Sequence, residues 1–384
     1  MLKLKHGLLA VSLLAGLPAL AASPVKIGLV TTLSGPGGYL GEDLRDGFKL
    51  AIRDGKLGGV PVELLTEDDG QNPGKAKQIV ERFMTSDNVK IITGIIYTNI
   101  TLAAVPDIIR AGAIYLSANT GPNDLAGKAC NKNYFVVGAQ NNSQSYAAGE
   151  IANRLGFKRM ILLAPNYQAG KEFIGAFKNA YKGEVLNEIY TKLDQTDFSA
   201  EDAQIRAAKP DGVFQFLPGA LGIASLKQYS QAGLKETIPI EVHAMDGRIL
   251  AALGETALGV PAATDWNPDF DNPANKRFVA DYEKAYGRAP SYYAAHAYDV
   301  ANLVAGALKD VGGDIGKEDA FRAALAKANF ESVRGSFKFA QNQHPVTSWY
   351  MTKVVKDDSG KLEIKTVERV LTDFVDPFAK DCAM

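Results

Sequence analysis

Only two cysteines, Cys130 and Cys382, occur in 384 residues. So few exclude a disulfide-dense scaffold, and neither has a His or Cys neighbour at zinc-ligand spacing. The four histidines, His6, His243, His296 and His344, form no H-E-x-x-H pair. G-x-S-x-G, G-x-G-x-x-G and G-x-x-x-x-G-K-[ST] are also missing, which leaves no motif for a serine hydrolase, a dinucleotide site or a P-loop. Neither sign of charge dominates: 42 basic residues against 43 acidic ones give a net charge of -1, without the basic footprint of a nucleic-acid binder. Asp68 and Asp69 are adjacent, but no third carboxylate follows at a spacing that suits a metal loop, so they read as strand-end and turn residues. Beyond the N-terminus no apolar run approaches the ~20 residues of a membrane span.

What is present begins with a leader. Lys3 and Lys5 precede an apolar run over residues 7–17, followed by Pro18-Ala19-Leu20-Ala21-Ala22. This pattern reads as a secretory signal peptide over residues 1–22, cleaved after Ala21 or Ala22. No Cys follows the run, so a lipid anchor is not expected and the mature chain should be periplasmic and soluble. In an oxidising compartment Cys130 and Cys382 are expected to pair, with two free thiols as the alternative.

The mature chain alternates strands and helices. Strands are expected at residues 25–32, 62–67, 91–96, 114–117 and 134–137, then at 160–164, 185–190, 212–217 and 240–244. Apolar-periodic helices separate them, including one over residues 101–111. Two such runs predict an α/β protein with two doubly wound parallel-sheet lobes. The turn-rich segments 138–143 and 266–273 read as crossings between lobes. The lobes are then expected at residues 24–140 plus 268–343 and at 141–267 plus 344–384. Residues 349–355 and 362–371 read as closing antiparallel strands.

The chemistry is expected at the carboxyl ends of the strands, where ligands of open α/β sheets sit. Residues 91–100 and 114–122 are apolar runs that break into small hydroxyl residues. Thr98 and Thr120 there, with N–H groups at a helix start, would hold an anion such as a carboxylate; helix capping is the plainer role for either threonine. Tyr39, Ser117, Ala118, Asn142, Tyr167, Pro218 and Asp246 stand at other predicted strand ends. His243 lies at one too, and could line the cleft, whereas His296 reads as a structural histidine on a helical core face. Small hydroxyls on one lobe and larger groups on the other suit a small ligand with an anionic end and a bulkier body.

In order along the chain, Leu33-Ser34-Gly35-Pro36, Glu67-Asp68-Asp69-Gly70-Gln71-Asn72-Pro73, Ile92-Thr93-Gly94 and Ser117-Ala118-Asn119-Thr120-Gly121-Pro122 resemble the leucine/isoleucine/valine-binding class of periplasmic substrate-binding proteins of ABC importers. The resemblance covers nearly the whole mature chain. It implies the type I periplasmic binding fold, a hinge between lobes, a membrane permease as partner, a monomer, and no enzymatic activity, metal or cofactor. It places Thr98, Ala118 and Thr120, with Asn119 between them, at a ligand carboxylate. It places Tyr167 and Tyr293 at the ligand body and Asp246 at an amino acid's ammonium. The segments 125–130 and 166–171 look more like the branch that takes aromatic carboxylates. A benzoate- or cinnamate-like ligand would stack on Tyr39, Tyr97, Tyr167 and Tyr293. The alternative is a branched-chain or other amino acid or amide, with a sensor domain or a secreted hydrolase further off. Asp246 discriminates: it should touch an amino-acid ligand and point away from an aromatic acid.

Overall fold

The computed structural model describes residues 23–384; the expected signal peptide lies outside them. One sheet contains β1 (Val25–Thr31), β2 (Lys56–Leu57), β3 (Val60–Asp68), β4 (Ile91–Thr93), β5 (Ile114–Ser117) and β6 (Tyr134–Val136), in the order β2-β3-β1-β4-β5-β6. All its pairings are parallel except the short β2–β3 hairpin. The second sheet contains β7 (Arg159–Pro165), β8 (Glu184–Thr191), β9 (Gly212–Gln215), β10 (Ile240–Val242), β11 (Pro261–Thr264), β12 (Thr347–Lys356) and β13 (Leu362–Phe374). Its order is β13-β12-β11-β10-β9-β7-β8; the β11–β12 and β12–β13 pairings are antiparallel, so β12 runs against the other strands.

The apolar runs are central strands with both faces covered. In β7, Met160, Leu162 and Ala164 enter one core while Ile161 and Leu163 enter the other. Helices begin where the sequence supplies caps. Asn72 accepts from the Lys75 N–H ahead of Pro73, and Asn272 accepts from the Asn275 N–H ahead of Pro273.

Three elements differ from the sequence reading. The helix expected from residue 101 begins at Thr98 and runs to Arg110, with Tyr97 as an N-cap that supplies no capping side chain. Pro261-Ala262-Ala263-Thr264 is a fully buried central strand, β11, although its residues have little strand propensity; pairing with β10 and β12 imposes the conformation. The end of the chain does not stay with the second lobe. After β13 it returns to the first lobe, where Asp376 accepts from Asn342 at 2.8 Å and Cys382 is bonded to Cys130. Asn342 also donates to the Ala126 carbonyl at 2.9 Å, which fixes this strap against the segment carrying Cys130.

Candidate functional site

β4 and β5 are parallel neighbours, and the loops at their carboxyl ends form one wall of a cavity between the sheets. Gly94 turns the chain at φ +110°, where a Cβ would come within 2.6 Å of the Val30 carbonyl. Thr98 then opens a thirteen-residue helix, so the first-turn N–H groups of Thr98 and Asn99 have no intrahelical acceptor. The neighbouring loop is fastened by side chains. Ser117 Oγ donates to the Thr120 carbonyl at 2.6 Å, the Thr120 and Thr101 hydroxyls meet at 2.7 Å, and Asn119 Nδ2 donates to the Ile96 carbonyl at 2.7 Å. Thr98 Oγ1 accepts from Asn141 Nδ2 at 3.1 Å, which leaves the Thr98 hydroxyl proton for a ligand.

The opposite wall comes from the second sheet. Phe216 stacks between Phe173 (centroids 3.7 Å apart) and Tyr167 (6.4 Å), and His243 meets the Phe216 ring edge-on at 4.9 Å. Gln144, Ala139–Asn141, Thr264, Asp265, Tyr292, Tyr293, His296 and Trp349 complete the hinge side. The cavity measures ≈ 600 Å³, its opening to solvent included. That is the scale of a small single-ring molecule rather than a peptide.

The lobes meet around this space. Asn141 donates to Thr98 and also to Glu172 Oε2 at 2.6 Å, and Glu172 Oε1 accepts the Asn123 N–H at 3.2 Å. Burial raises the Glu172 carboxyl above its ordinary range against the pull of these bonds and of Gln168. At the rim Arg248, on the helix Gly247–Leu253, contacts Glu42 and Asp43 of the helix Gly38–Leu50 at 3.0 Å each.

Among the described residues the lining contains no Lys or Arg, and its one acid, Asp265, is already paired. Asp265 meets His296 Nε2 at 2.9 and 3.0 Å and Arg334 Nη1 at 3.0 Å. Burial acts to raise the Asp265 carboxyl, but His296 and Arg334 outweigh it and hold it below the usual carboxylate range. Arg334 also binds Asp299 at 3.1 Å and the carbonyls of Gly138 and Val137, so this buried cluster joins two crossings to the first lobe. His296, expected as a structural histidine, is tied to Asp265 through Nε2 but also lines the cavity, and its Nδ1 is buried without a partner among the described residues.

Pro218 and His243, named at strand ends, line the cavity and Ser117 does not; of the residues expected to bind the ligand, Tyr97, Thr98, Asn119, Thr120, Tyr167 and Tyr293 are brought together in the lining. Four are not. Ala118 is fully buried behind the wall, so close to Gly138 that a Cβ there would meet the Ala118 carbonyl carbon at 2.6 Å. Asn142 turns away from the cavity its helix neighbour Asn141 lines, and its Oδ1 is buried without a partner. Tyr39 lies outside, under the Arg248 guanidinium at 5.6 Å, with its hydroxyl buried and unpartnered. Asp246 also lies outside: its Oδ1 accepts the N–H groups of Arg248 and Ile249 at 2.9 Å each, capping their helix. Its carboxyl is pushed up to about 6, chiefly by burial and further by Asp43, against the Ile249 bond. Missed by the sequence reading were Gln144, Phe173, Phe216, Asp265 and Trp349. Phe173 carries the same helical period as the core residues beside it, so only its place near the helix start, after a strand end, marks it.

A model described as periplasmic binding protein matches residues 24–361 of the chain. Leu/Ile/Val-binding protein homolog 6 of Brucella melitensis is 29% identical over 368 residues, covering 91% of this chain and 93% of that protein. An ABC-transporter solute-binding protein of R. palustris, solved in complex with benzoate, is 28% identical with a TM-score of 0.88, covering 94% of this chain and 100% of its own. One from Rhodopseudomonas palustris BisB5, solved with 3,4-dihydroxybenzoic acid, is 27% identical with a TM-score of 0.82, covering 91% and 98%. Two α/β lobes with a cavity between them agree with these relatives: the chain belongs to the periplasmic binding protein family and is a solute-binding protein of the ABC-transporter kind.

Proposed function

We propose that the chain captures a small aromatic carboxylic acid, of benzoate or cinnamate type, in the interlobe cavity and delivers it to an ABC permease. The observation that carries this reading is the pairing of Asp265, the one acid in the lining, by His296 and Arg334. An amino acid would bury an ammonium, and a buried cation without a counter-ion is costly. Asp246, the acid that the family resemblance offers for that task, lies outside the cavity lining, with its Oδ1 engaged in a helix cap. A ligand without an amine avoids the problem. Its carboxylate is received by the Thr98 hydroxyl and the helix-start N–H groups, where the dipole favours an anion. Its ring lies along Tyr167 and Phe216, in the offset or edge-on contacts that aromatic groups prefer. Relatives solved with benzoate and with 3,4-dihydroxybenzoic acid support the same ligand class. In this reading the protein is an exported monomer, cleaved after Ala21 or Ala22, and closes over its ligand by a hinge motion.

Isothermal titration with benzoate, cinnamate, leucine and valine tests the proposal. Binding of at least one aromatic acid, with leucine and valine silent, is expected. Binding of leucine or valine with no aromatic acid bound would overturn it.

A further inference from the structure

The carboxylate end of the cavity uses first-lobe groups and leaves a polar patch on the second lobe unassigned. Strand register assembles it. Gln215 pairs with Val242 and Val242 with Ala262, so Phe216, His243 and Ala263 follow as a row across the ends of β9, β10 and β11. Neighbouring strands are ~4.8 Å apart, so these residues are in lateral contact. Gln144 lies over the row: its Nε2 donates to the His243 carbonyl at 2.7 Å and to the Ala263 carbonyl at 3.1 Å. Both amide hydrogens are thereby spent, and Oε1 is left as an acceptor. Trp349, also in the lining, has its indole N–H buried without a partner.

His243 is the centre of this patch. Its ring is held edge-on to Phe216 at 4.9 Å and to Phe173 at 6.2 Å, and no side chain among the described residues hydrogen-bonds it. Burial pulls its pKa down to about 3, so the imidazole is neutral and offers one N–H and one bare nitrogen. With no Lys or Arg in the lining, nothing here compensates a second negative charge. A methyl or bare ring edge would leave the imidazole, the Gln144 Oε1 and the indole N–H unsatisfied. The complementary group is neutral and both gives and accepts a hydrogen bond, as a phenolic hydroxyl does.

Resting on the aromatic-acid reading, we infer that His243 is a specificity-determining residue: it receives a hydroxyl on the ligand's ring, so that the preferred ligands are hydroxylated aromatic monocarboxylates. The class excludes aromatic dicarboxylates, whose second anion would meet this uncharged patch.

The test is titration of the full mature chain, wild type and His243→Phe, with benzoate, the three monohydroxybenzoates and terephthalate. Phenylalanine keeps the edge-on packing and removes both ring nitrogens. For the wild type, at least one hydroxybenzoate binds roughly five- to tenfold tighter than benzoate, as one buried hydrogen bond implies. Terephthalate binds more weakly than benzoate. In His243→Phe the ratio of the two affinities falls to about one. The ratio carries the test, since the variant can alter both affinities together. A wild type that binds benzoate at least as tightly as every hydroxybenzoate overturns the inference with no variant needed. So does an unchanged ratio in His243→Phe. A wild type that binds none of the benzoates overturns the aromatic-acid reading itself, and this inference with it.

Discussion

Glu241 offers the sharpest test of the energetics. It sits in the middle of β10, paired with Phe214 in a strand that has neighbours on both sides, and is fully buried. Neither carboxyl oxygen has a hydrogen-bond partner, and burial raises its pKa well above the ordinary glutamate value. The folded state therefore keeps the proton after the unfolded chain has released it. Stability is complete below the unfolded pKa of about 4.3 and falls as pH rises toward the folded pKa, by about 1.4 kcal/mol per pH unit. Glu241→Met preserves length and removes the proton and the unsatisfied oxygens. At pH 5 the variant gains about 1–3 kcal/mol from the lost orphan polar group. Its advantage over the wild type then widens as pH rises further above the unfolded pKa, by at most about 1.4 kcal/mol per pH unit and only until the folded carboxyl ionises. At ~2 °C per kcal/mol for a chain of this size, melting curves at pH 7 should lie further apart than at pH 5. An advantage that is equal at both pH values would refute the reasoning, because it would mean that the carboxyl ionises alike in both states.

Thr98→Ala, which removes a hydroxyl donor at the carboxylate end, should weaken ligand binding by about 1–3 kcal/mol in titration while leaving the melting temperature of the free protein nearly unchanged. Arg334→Met removes the guanidinium shared by Asp265 and Asp299, both fully or almost fully buried, and should cost about 3–5 kcal/mol in denaturant unfolding. Reducing the bond between Cys130 and Cys382, 252 residues apart, frees a loop whose closure entropy is worth about 5 kcal/mol as an upper figure. A melting temperature that does not respond to reductant would contradict that accounting.

The strands most readable in the sequence are those buried on both faces, such as β7, because burial itself demands an unbroken apolar run. β11 was unreadable for the opposite reason. Its small residues carry no local preference, and its state is set by partners that lie 20 or more residues away in either direction. The return of the tail to the first lobe was legible only through the expected Cys130–Cys382 pair, against the lobe bounds that put residues 344–384 with the second lobe. The site divides the same way. The first-lobe wall is local: Thr98, Asn119 and Thr120 follow directly on strand ends, where a short polar residue after an apolar run is visible. The second-lobe wall is not local. Phe173 and Phe216 belong to hydrophobic cores along most of their surface and differ from other core aromatics only by standing at the edge of the cavity. Asp246 shows the limit of resemblance: an acid at the expected place in the chain is turned by an ordinary helix cap to face something else.

The bond between Cys130 and Cys382 also closes a covalent circle that contains every strand of the second sheet, from Arg159 to Phe374. A single proteolytic nick anywhere in that circle leaves both fragments attached to the first lobe. Nicked protein should therefore migrate as one species on a denaturing gel until a thiol is added, and only then part into two. For a protein that works in an extracytoplasmic space exposed to proteases, damage to an exposed loop need not release half of the cleft.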